Sequence, residues 1–211
     1  MHQKIWHESP AMDPEEVKRL CSVWEMHPRV AEILLRRGFK TAGEIKSFLQ
    51  PSLNNLRDPY ELRMMQEAVD LLQEAIVKNW RIVILGDYDV DGITATVLML
   101  EFLQKCGCLN LDFFIPNRIK HGYGLTEAST DILLEMNPDL VITVDNGITA
   151  ANEVQRLNDE GIKTIVTDHH LADPNLLPAG IVVNPNHPEC PYPFKKISGC
   201  GVALKLIMAL R

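Results

Sequence analysis

Apolar strands and amphipathic helices alternate from Arg81 to the end of this sequence, and the alternation sets the fold class. Five short apolar runs, rich in Val and Ile, are continuous rather than alternating. Runs of this kind are typical of strands buried on both faces. The predicted strands are residues 82–85, 113–115, 140–144, 164–166 and 181–183, and the helical patterns between them are residues 93–105, 126–136 and 149–160. The sequence therefore predicts an α/β fold with a mostly parallel five-stranded sheet flanked by helices.

The first 80 residues contain no convincing strand and predict a helical segment that packs on the core. Thr41 and Glu44 have the spacing of a capping box, so a helix is expected to begin there and to end by Pro51. Between Glu61 and Asn79, apolar residues recur every three or four positions, which predicts an amphipathic helix with one buried face. The predicted domains are residues 1–80 and 81–211.

Composition narrows the class of protein. Hydrophobic residues make up 46% of the 211 residues, which is enough for a core and excludes a disordered chain. The net charge of −7 weighs only weakly against a nucleic-acid partner, because a carboxylate-rich metal site offsets local Lys and Arg. The five cysteines are odd in number and form no C-x-x-C pair, and no signal core or membrane-spanning stretch is present. These features predict a reduced, cytoplasmic protein with no membrane partner.

Ionisable side chains follow three of the predicted strands directly. Because ligands bind beyond the carboxyl ends of the strands in open α/β sheets, these groups are expected to converge on one edge although they are far apart in sequence. So many carboxylates cannot crowd together unless a cation neutralises them. Oxygen ligands with imidazole suit a pair of Mn²⁺ or Mg²⁺ ions, which would clamp a phosphoryl group and activate a water. The candidate metal ligands are Asp87, Asp89, Asp91, Asp145 and His169.

Two further residues of the same set are candidates for catalysis. Asp168 is expected to orient an imidazole without binding the metal. His170 is expected to stay off the metal and to stabilise the transition state or protonate the leaving oxygen.

Simpler interpretations exist for each motif taken alone. An Asp after a strand is often only a helix cap, as Asp145 could be, and adjacent histidines are often surface residues. The spacing from Asp87 to Gly92 resembles a calcium loop but lacks the closing Glu of an EF-hand. A haloacid-dehalogenase-type phosphatase also carries Asp-x-Asp after its first strand, with the first Asp as nucleophile, but the adjacent histidines do not fit that class.

The motifs resemble a known superfamily. Asp87-Tyr88-Asp89-Val90-Asp91-Gly92, Val144-Asp145-Asn146-Gly147 and Asp168-His169-His170 are similar to the first three motifs of the DHH phosphoesterases. Within that superfamily the chain resembles the RecJ single-strand-specific exonucleases. The segments that carry this second resemblance are Pro116-Asn117-Arg118, His121-Gly122-Tyr123-Gly124-Leu125, Val183-Asn184-Pro185-Asn186, Ser198-Gly199-Cys200-Gly201-Val202-Ala203, Phe48-Leu49-Gln50-Pro51 and Asp58-Pro59.

The resemblance implies hydrolysis of single-stranded DNA from the 5′ end with Mn²⁺ or Mg²⁺, in DNA repair and recombination. A single-strand-binding protein and a helicase are further partners that it implies. By the same match, Arg118 is a candidate for holding a DNA phosphate, since its guanidinium suits a bidentate contact. Lys120 and His121 would extend the contact, and Tyr123 would stack on a base.

The family pattern also contains a fourth Asp motif and further domains, which this sequence lacks. We therefore expect residues 81–211 to form a DHH catalytic domain that is truncated at its C-terminal end. Such a chain is expected to fold and to bind metal with little exonuclease activity. Two other functions remain open: a DHH phosphoesterase that acts on short RNA or cyclic dinucleotides, and a non-catalytic metal-binding module.

Overall fold

The computed structural model describes residues 10–211, and the chain divides into two compact units, Met1–Arg57 and Asp58–Arg211. The boundary lies earlier than the predicted one at residues 80 and 81. The reason is helix α4 (Met65–Val77), whose apolar face belongs to the core of the second unit. Its buried residues pack in one cluster with Ile82 and Ile84 of the first strand. The amphipathic pattern was interpreted correctly as a helix, and its buried face packs in the core of the second unit.

The first unit is helical in its described part, as the sequence predicts. The capping box is present, since the Thr41 hydroxyl accepts the Glu44 N–H and the Glu44 carboxylate accepts the Thr41 N–H. A small apolar core includes Leu20, Leu34 and Ile45. The helices are α1 (Pro14–Trp24), α2 (Pro28–Arg36) and α3 (Ala42–Leu49), followed by a 3₁₀ turn at Leu53–Asn55.

The second unit contains a five-stranded sheet in which every paired strand is parallel, with the order β2-β1-β3-β4-β5. This confirms the predicted fold class. The strands are β1 (Ile82–Leu85), β2 (Leu111–Phe114), β3 (Leu140–Val144), β4 (Lys163–Thr167) and β5 (Ile181–Val183). The remaining helices are α5 (Val90–Lys105), α6 (Glu127–Met136), α7 (Ala151–Asp159) and α8 (Gly199–Leu210), with a 3₁₀ turn at Pro59–Glu61.

Helices cover both faces of the sheet. Helices α4, α5 and α8 form one hydrophobic cluster with the side chains of β1 and β3 that point to their face, and α6 and α7 form the other. Strand β2 differs from the prediction, because it lies at the edge of the sheet and exposes Asp112 and Phe113. Its apolar run therefore does not indicate burial on both faces.

The strand order reverses direction between β1 and β3. In open parallel sheets, such a switch point leaves a crevice beyond the carboxyl ends of the two strands, and ligands bind there. Asp87 and Asp145 follow these two strands. Among the described residues, the structure contains no helix long and apolar enough to cross a membrane.

Candidate metal centre

The carboxyl edge of the sheet brings together most of the predicted ligands. Ligand atoms of Asp87, Asp89 and Asp145 lie within 4.8 Å of one another, and so do those of Asp145, His169 and His170. Asp145 belongs to both groups and therefore joins the end of β1 to the end of β4. The convergence predicted from the strand ends is present in the structure.

Two of these carboxylates are buried and have oxygens that accept no hydrogen bond. Asp87 is 0% exposed and Asp145 is 1% exposed. Neither oxygen of Asp87 accepts a hydrogen bond within the described residues, nor does Oδ1 of Asp145. Oδ1 of Asp145 instead lies 3.1 Å from Nε2 of His169. A buried carboxylate without partners is costly, so these atoms require a cation or a proton.

Electrostatics agree with this requirement. Burial, followed by the charges of Asp91 and Asp89, raises the pKa of Asp145 to about 7. Burial likewise raises the pKa of Asp87, although the nearby amide groups of Tyr88 and Asp89 oppose the shift without completing a hydrogen bond of ordinary geometry. A divalent cation would offset the cost of ionising these two buried carboxylates, because it stabilises the ionised form of each.

The backbone at Asp145 is strained in a way that serves the site. Its φ of 66° is left-handed, which is uncommon for a residue other than Gly and tolerated best by Asn and Asp. The next residue, Asn146, is buried and donates from Nδ2 to the carbonyls of Leu85, Gly86 and Val144 at 3.0–3.2 Å. This side chain ties the ends of β1 and β3 together. No role for Asn146 was predicted from the sequence, since its partners on β1 lie 60 and 61 positions away.

The other two Asp residues of the motif from Asp87 to Gly92 also accept backbone hydrogen bonds. Asp89 caps α5, because its Oδ1 accepts the N–H groups of Asp91 and Gly92. Asp91 lies outside both ligand groups, and its two carboxylate oxygens accept the N–H groups of Gly199 and Cys200, each at 2.8 Å. Its Oδ2 is still only 3.9 Å from His169 Nε2. Metal ligation by Asp91 therefore stays a prediction.

Asp168 is buried like Asp87 but fully hydrogen-bonded. Its Oδ2 accepts the N–H of Ile148 at 3.0 Å, and its Oδ1 accepts the N–H groups of His169 and His170. The same Oδ1 lies 2.7 Å from Nδ1 of His170. This hydrogen bond raises the pKa of His170 above its usual range. The imidazole that Asp168 orients is that of His170, which leaves His169 to face Asp145.

Two Asn side chains donate hydrogen bonds to the backbone carbonyls of the adjacent histidines. Asn184, at the end of β5, donates from Nδ2 to the carbonyl of His170 at 3.1 Å. Asn186 donates from Nδ2 to the carbonyl of His169. The sequence placed Asn184 at this edge without a function, and Asn186 entered only through a family resemblance. Their positions one and three residues after β5 were the available signal.

The predicted nucleic-acid contacts lie on the loop between β2 and α6, and their surroundings differ. Arg118 is exposed, with its Cζ 5.5 Å from the centre of the Tyr88 ring, and Lys120 is exposed. The Tyr123 hydroxyl donates to the carbonyl of Asp145 at 3.1 Å and lies 3.3 Å from Nε2 of His170. His121 serves the loop itself, because its Nδ1 accepts the N–H of Asn117.

The donor set fits a hard divalent cation. It offers carboxylate oxygens and two imidazoles, with no thiolate among the described ligand groups. Mn²⁺ and Mg²⁺ prefer such ligands, whereas Zn²⁺ in structural sites favours Cys and His. The orphaned oxygens of Asp87 and Asp145 show that the site is built for a charge that the protein itself does not supply.

Known proteins are similar to this chain in sequence and in fold. A family model described as "DHH family, N-terminal domain" matches residues 81–211. The single-stranded-DNA-specific exonuclease RecJ of Bacillus subtilis (strain 168) is 42% identical over 198 residues, which is 94% of this chain and 25% of the relative. The RecJ structure in complex with Mn²⁺ from Thermus thermophilus has a TM-score of 0.71 at 33% identity, covering 94% of this chain and 27% of that one. The RecJ structure with Mg²⁺ from the same organism has a TM-score of 0.58 at 30% identity, covering 94% and 23%. This chain therefore spans about a quarter of the length of these relatives.

Proposed function

Because the chain belongs to the DHH family, we propose that it is the metal-binding part of a phosphodiesterase that removes nucleotides from the 5′ end of single-stranded DNA. The observation that carries the proposal is the pair of buried carboxylates at the switch point of the sheet, Asp87 and Asp145, three of whose oxygens accept no hydrogen bond within the described residues. The RecJ relatives of this chain act on single-stranded DNA by name, and their structures contain Mn²⁺ or Mg²⁺.

Mn²⁺ or Mg²⁺ would be held by Asp87, Asp89, Asp145 and His169, with Asp91 as a further candidate. When bound, such ions polarise a phosphoryl oxygen and lower the pKa of a water. The role of the protein is to keep these ligands in place. Asn146, which ties β1 to β3, holds two of the ligand-bearing strand ends in register.

His170 is placed to donate a proton or to stabilise a negative charge. Its Nδ1 is held by Asp168, and its Nε2, which lies 3.3 Å from the Tyr123 hydroxyl, is the nitrogen that would face the substrate. The hydrogen bond to Asp168 raises the pKa of His170 and so favours the protonated imidazole. A protonated His170 would stabilise negative charge on the phosphoryl group or protonate the leaving oxygen.

The strand of DNA would approach along the loop after β2. Arg118 lies over Tyr88, which limits its rotamers and prepares its guanidinium for a phosphate. Tyr123 and Lys120 are exposed beside it and extend the same contact surface. His121 is the weakest member of the predicted set, because its ring nitrogen is used within the loop.

Location and partners complete the proposal. A cytoplasmic location is supported by five cysteines that are all free in the structure. A single-strand-binding protein and a helicase follow only from the family resemblance.

Competition binding tests the substrate. The Mn²⁺-loaded chain is bound to a fluorescent, 5′-phosphorylated single-stranded DNA and challenged with unlabelled duplex DNA, a short RNA or a cyclic dinucleotide. We expect unlabelled single-stranded DNA to compete best, and Asp145→Asn to abolish the Mn²⁺-dependent part of binding. Stronger competition by the short RNA or the cyclic dinucleotide would assign the site to another DHH phosphoesterase. Mn²⁺ binding without any nucleotide binding would indicate a metal-binding module.

A further inference from the structure

The first turn of α8 contacts the metal centre through its backbone. Ser198 caps this helix by accepting the N–H of Gly201, which leaves the N–H groups of Gly199 and Cys200 free for other acceptors. Both donate to Asp91, one to each carboxylate oxygen, at 2.8 Å. Two bonds to two oxygens fix the plane of the carboxylate. The partners are separated by 108 and 109 positions in sequence.

Gly199 also contacts the carboxylate of Asp145. A Cβ at position 199 would lie 2.0 Å from Oδ1 of Asp145, 2.5 Å from its Cγ and 2.6 Å from its Cβ. These distances are far below van der Waals contact, so no side chain fits between the helix and Asp145. Asp145 has little freedom to move away, because it is buried and its backbone is left-handed.

Gly199 therefore lies against two carboxylates of the candidate site at once. Its N–H orients Asp91, and its missing side chain leaves room for Asp145. The positive end of the α8 backbone also reduces the repulsion between these carboxylates. With its orientation fixed in this way, Asp91 keeps Oδ2 within 3.9 Å of His169 Nε2.

We propose that Gly199 is a positioning residue of the metal centre, which sets the orientation of Asp91 and the place of Asp145 so that both can share a divalent cation with His169. This inference rests on the proposed function, since it assumes that the centre binds metal. Packing alone would explain a Gly at a close approach between helix and sheet. It does not explain two backbone N–H groups on one carboxylate.

Calorimetry with MnCl₂ on the whole chain tests the inference through three variants. In Gly199→Ala we expect Mn²⁺ to bind at least tenfold more weakly than in the unmodified chain, which is the loss expected when a group that orients a ligand is changed. Gly43→Ala makes the same change in the first turn of α3, where nothing lies within 4 Å of the added Cβ, and should leave Mn²⁺ binding unchanged.

Gly201→Ala separates positioning from folding. The Cβ added there would meet side-chain atoms of Ile197 and Ser198 first, so it strains the same turn of α8 without touching a carboxylate. We expect it to lower the melting temperature while Mn²⁺ affinity is kept. Equal Mn²⁺ affinity in Gly199→Ala and the unmodified chain would overturn the inference. No Mn²⁺ binding by the unmodified chain would instead overturn the proposed function.

Amide hydrogen exchange provides a test that needs no variant at position 199. The N–H groups of Gly199 and Cys200 should exchange more slowly than those of Ala151 and Asn152, which begin a helix without a side-chain cap. In Asp91→Ala this protection should disappear. If the amides of Gly199 and Cys200 exchange as fast as those of Ala151 and Asn152, the contact with Asp91 is absent in solution and the inference is wrong.

Discussion

Two regions at the carboxyl edge of the sheet treat a buried carboxylate in opposite ways. At the end of β4, Asp168 is 1% exposed and its oxygens accept hydrogen bonds from three backbone N–H groups and approach an imidazole. At the ends of β1 and β3, Asp87 and Asp145 are equally buried, yet three of their four oxygens accept none. The sequence shows the same feature in each place, an Asp one or two positions after an apolar strand.

The difference separates two functions that the sequence pattern does not distinguish. A carboxylate whose two oxygens both accept hydrogen bonds stabilises the fold and orients its neighbours. A carboxylate without partners destabilises the metal-free fold and gains its partner on metal binding. On this view Asp168 is a structural and orienting residue, whereas Asp87 and Asp145 form the cation site.

The largest expected effect is the loss of Mn²⁺ binding in Asp145→Asn. Asp145 belongs to both ligand groups, so its removal should cost more than the roughly 10–100-fold expected for a residue that only orients a ligand. Asn tolerates the left-handed backbone, so the variant should fold. Calorimetry with MnCl₂ measures the effect, and Mn²⁺ affinity close to that of the unmodified chain would refute the assignment of Asp145.

Removing Asp168 should instead reduce stability. Asp168→Ala leaves the buried N–H of Ile148 and the donors of the following two histidines without an acceptor, at a cost of about 3 kcal/mol. Urea unfolding of the metal-free chain measures it. Asp173→Ala is the control, because Asp173 accepts hydrogen bonds only in an exposed loop and should cost less than about 1 kcal/mol. Similar losses in the two variants would remove the distinction between the buried carboxylates.

The adjacent histidines offer a finer test of the same comparison. His169 faces Asp145, so His169→Ala should weaken Mn²⁺ binding by about tenfold or more. His170 is held by Asp168, so His170→Ala should keep Mn²⁺ affinity within about threefold and lose activity or substrate binding instead. Equal losses of Mn²⁺ affinity would show that the two roles are assigned wrongly.

The smallest effect concerns Arg118. Arg118→Ala should reduce the salt dependence of single-strand binding by about 0.7 in the slope of log K against log salt, which corresponds to one phosphate contact. Lys163→Ala is the control, since Lys163 is exposed at the start of β4, at the opposite edge of the sheet. An unchanged slope in Arg118→Ala would place the DNA elsewhere.

Sequence patterns predicted the strands and the positions of the acidic residues well, because both depend on local order. Four of the five predicted strands have their centres where the structure has β1, β3, β4 and β5. Strand β2 begins two residues earlier than predicted, since an apolar run beside a sheet edge does not reveal which residues pair. The division at Arg57 and Asp58 precedes the predicted boundary because α4 packs in the core of the second unit, whereas the family model begins at the predicted residue 81.

The site was predicted only in part, for a related reason. Which carboxylate is satisfied depends on donors that are distant in sequence: Ile148 lies 20 positions from Asp168, and Gly199 lies 108 from Asp91. The roles of Asn146 and Asn186 depend on contacts of the same kind. Such contacts follow from the topology of the sheet. In a single sequence, nothing distinguishes the Asn and Gly residues that make them from other Asn and Gly residues.

The most direct test measures the unfolding free energy of the unmodified chain and of Asp145→Asn between pH 4 and pH 8, with and without Mn²⁺. The pKa of Asp145 is raised to about 7 in the fold, so its contribution is fully present below its ordinary pKa near 3.8 and is lost as the pH rises through about 7. We therefore predict that the metal-free chain loses stability relative to Asp145→Asn over this range. Mn²⁺ should restore the lost stability of the unmodified chain and should not stabilise Asp145→Asn. If the difference in unfolding free energy between the unmodified chain and Asp145→Asn changes neither with pH nor with Mn²⁺, Asp145 is not a buried carboxylate that binds the cation.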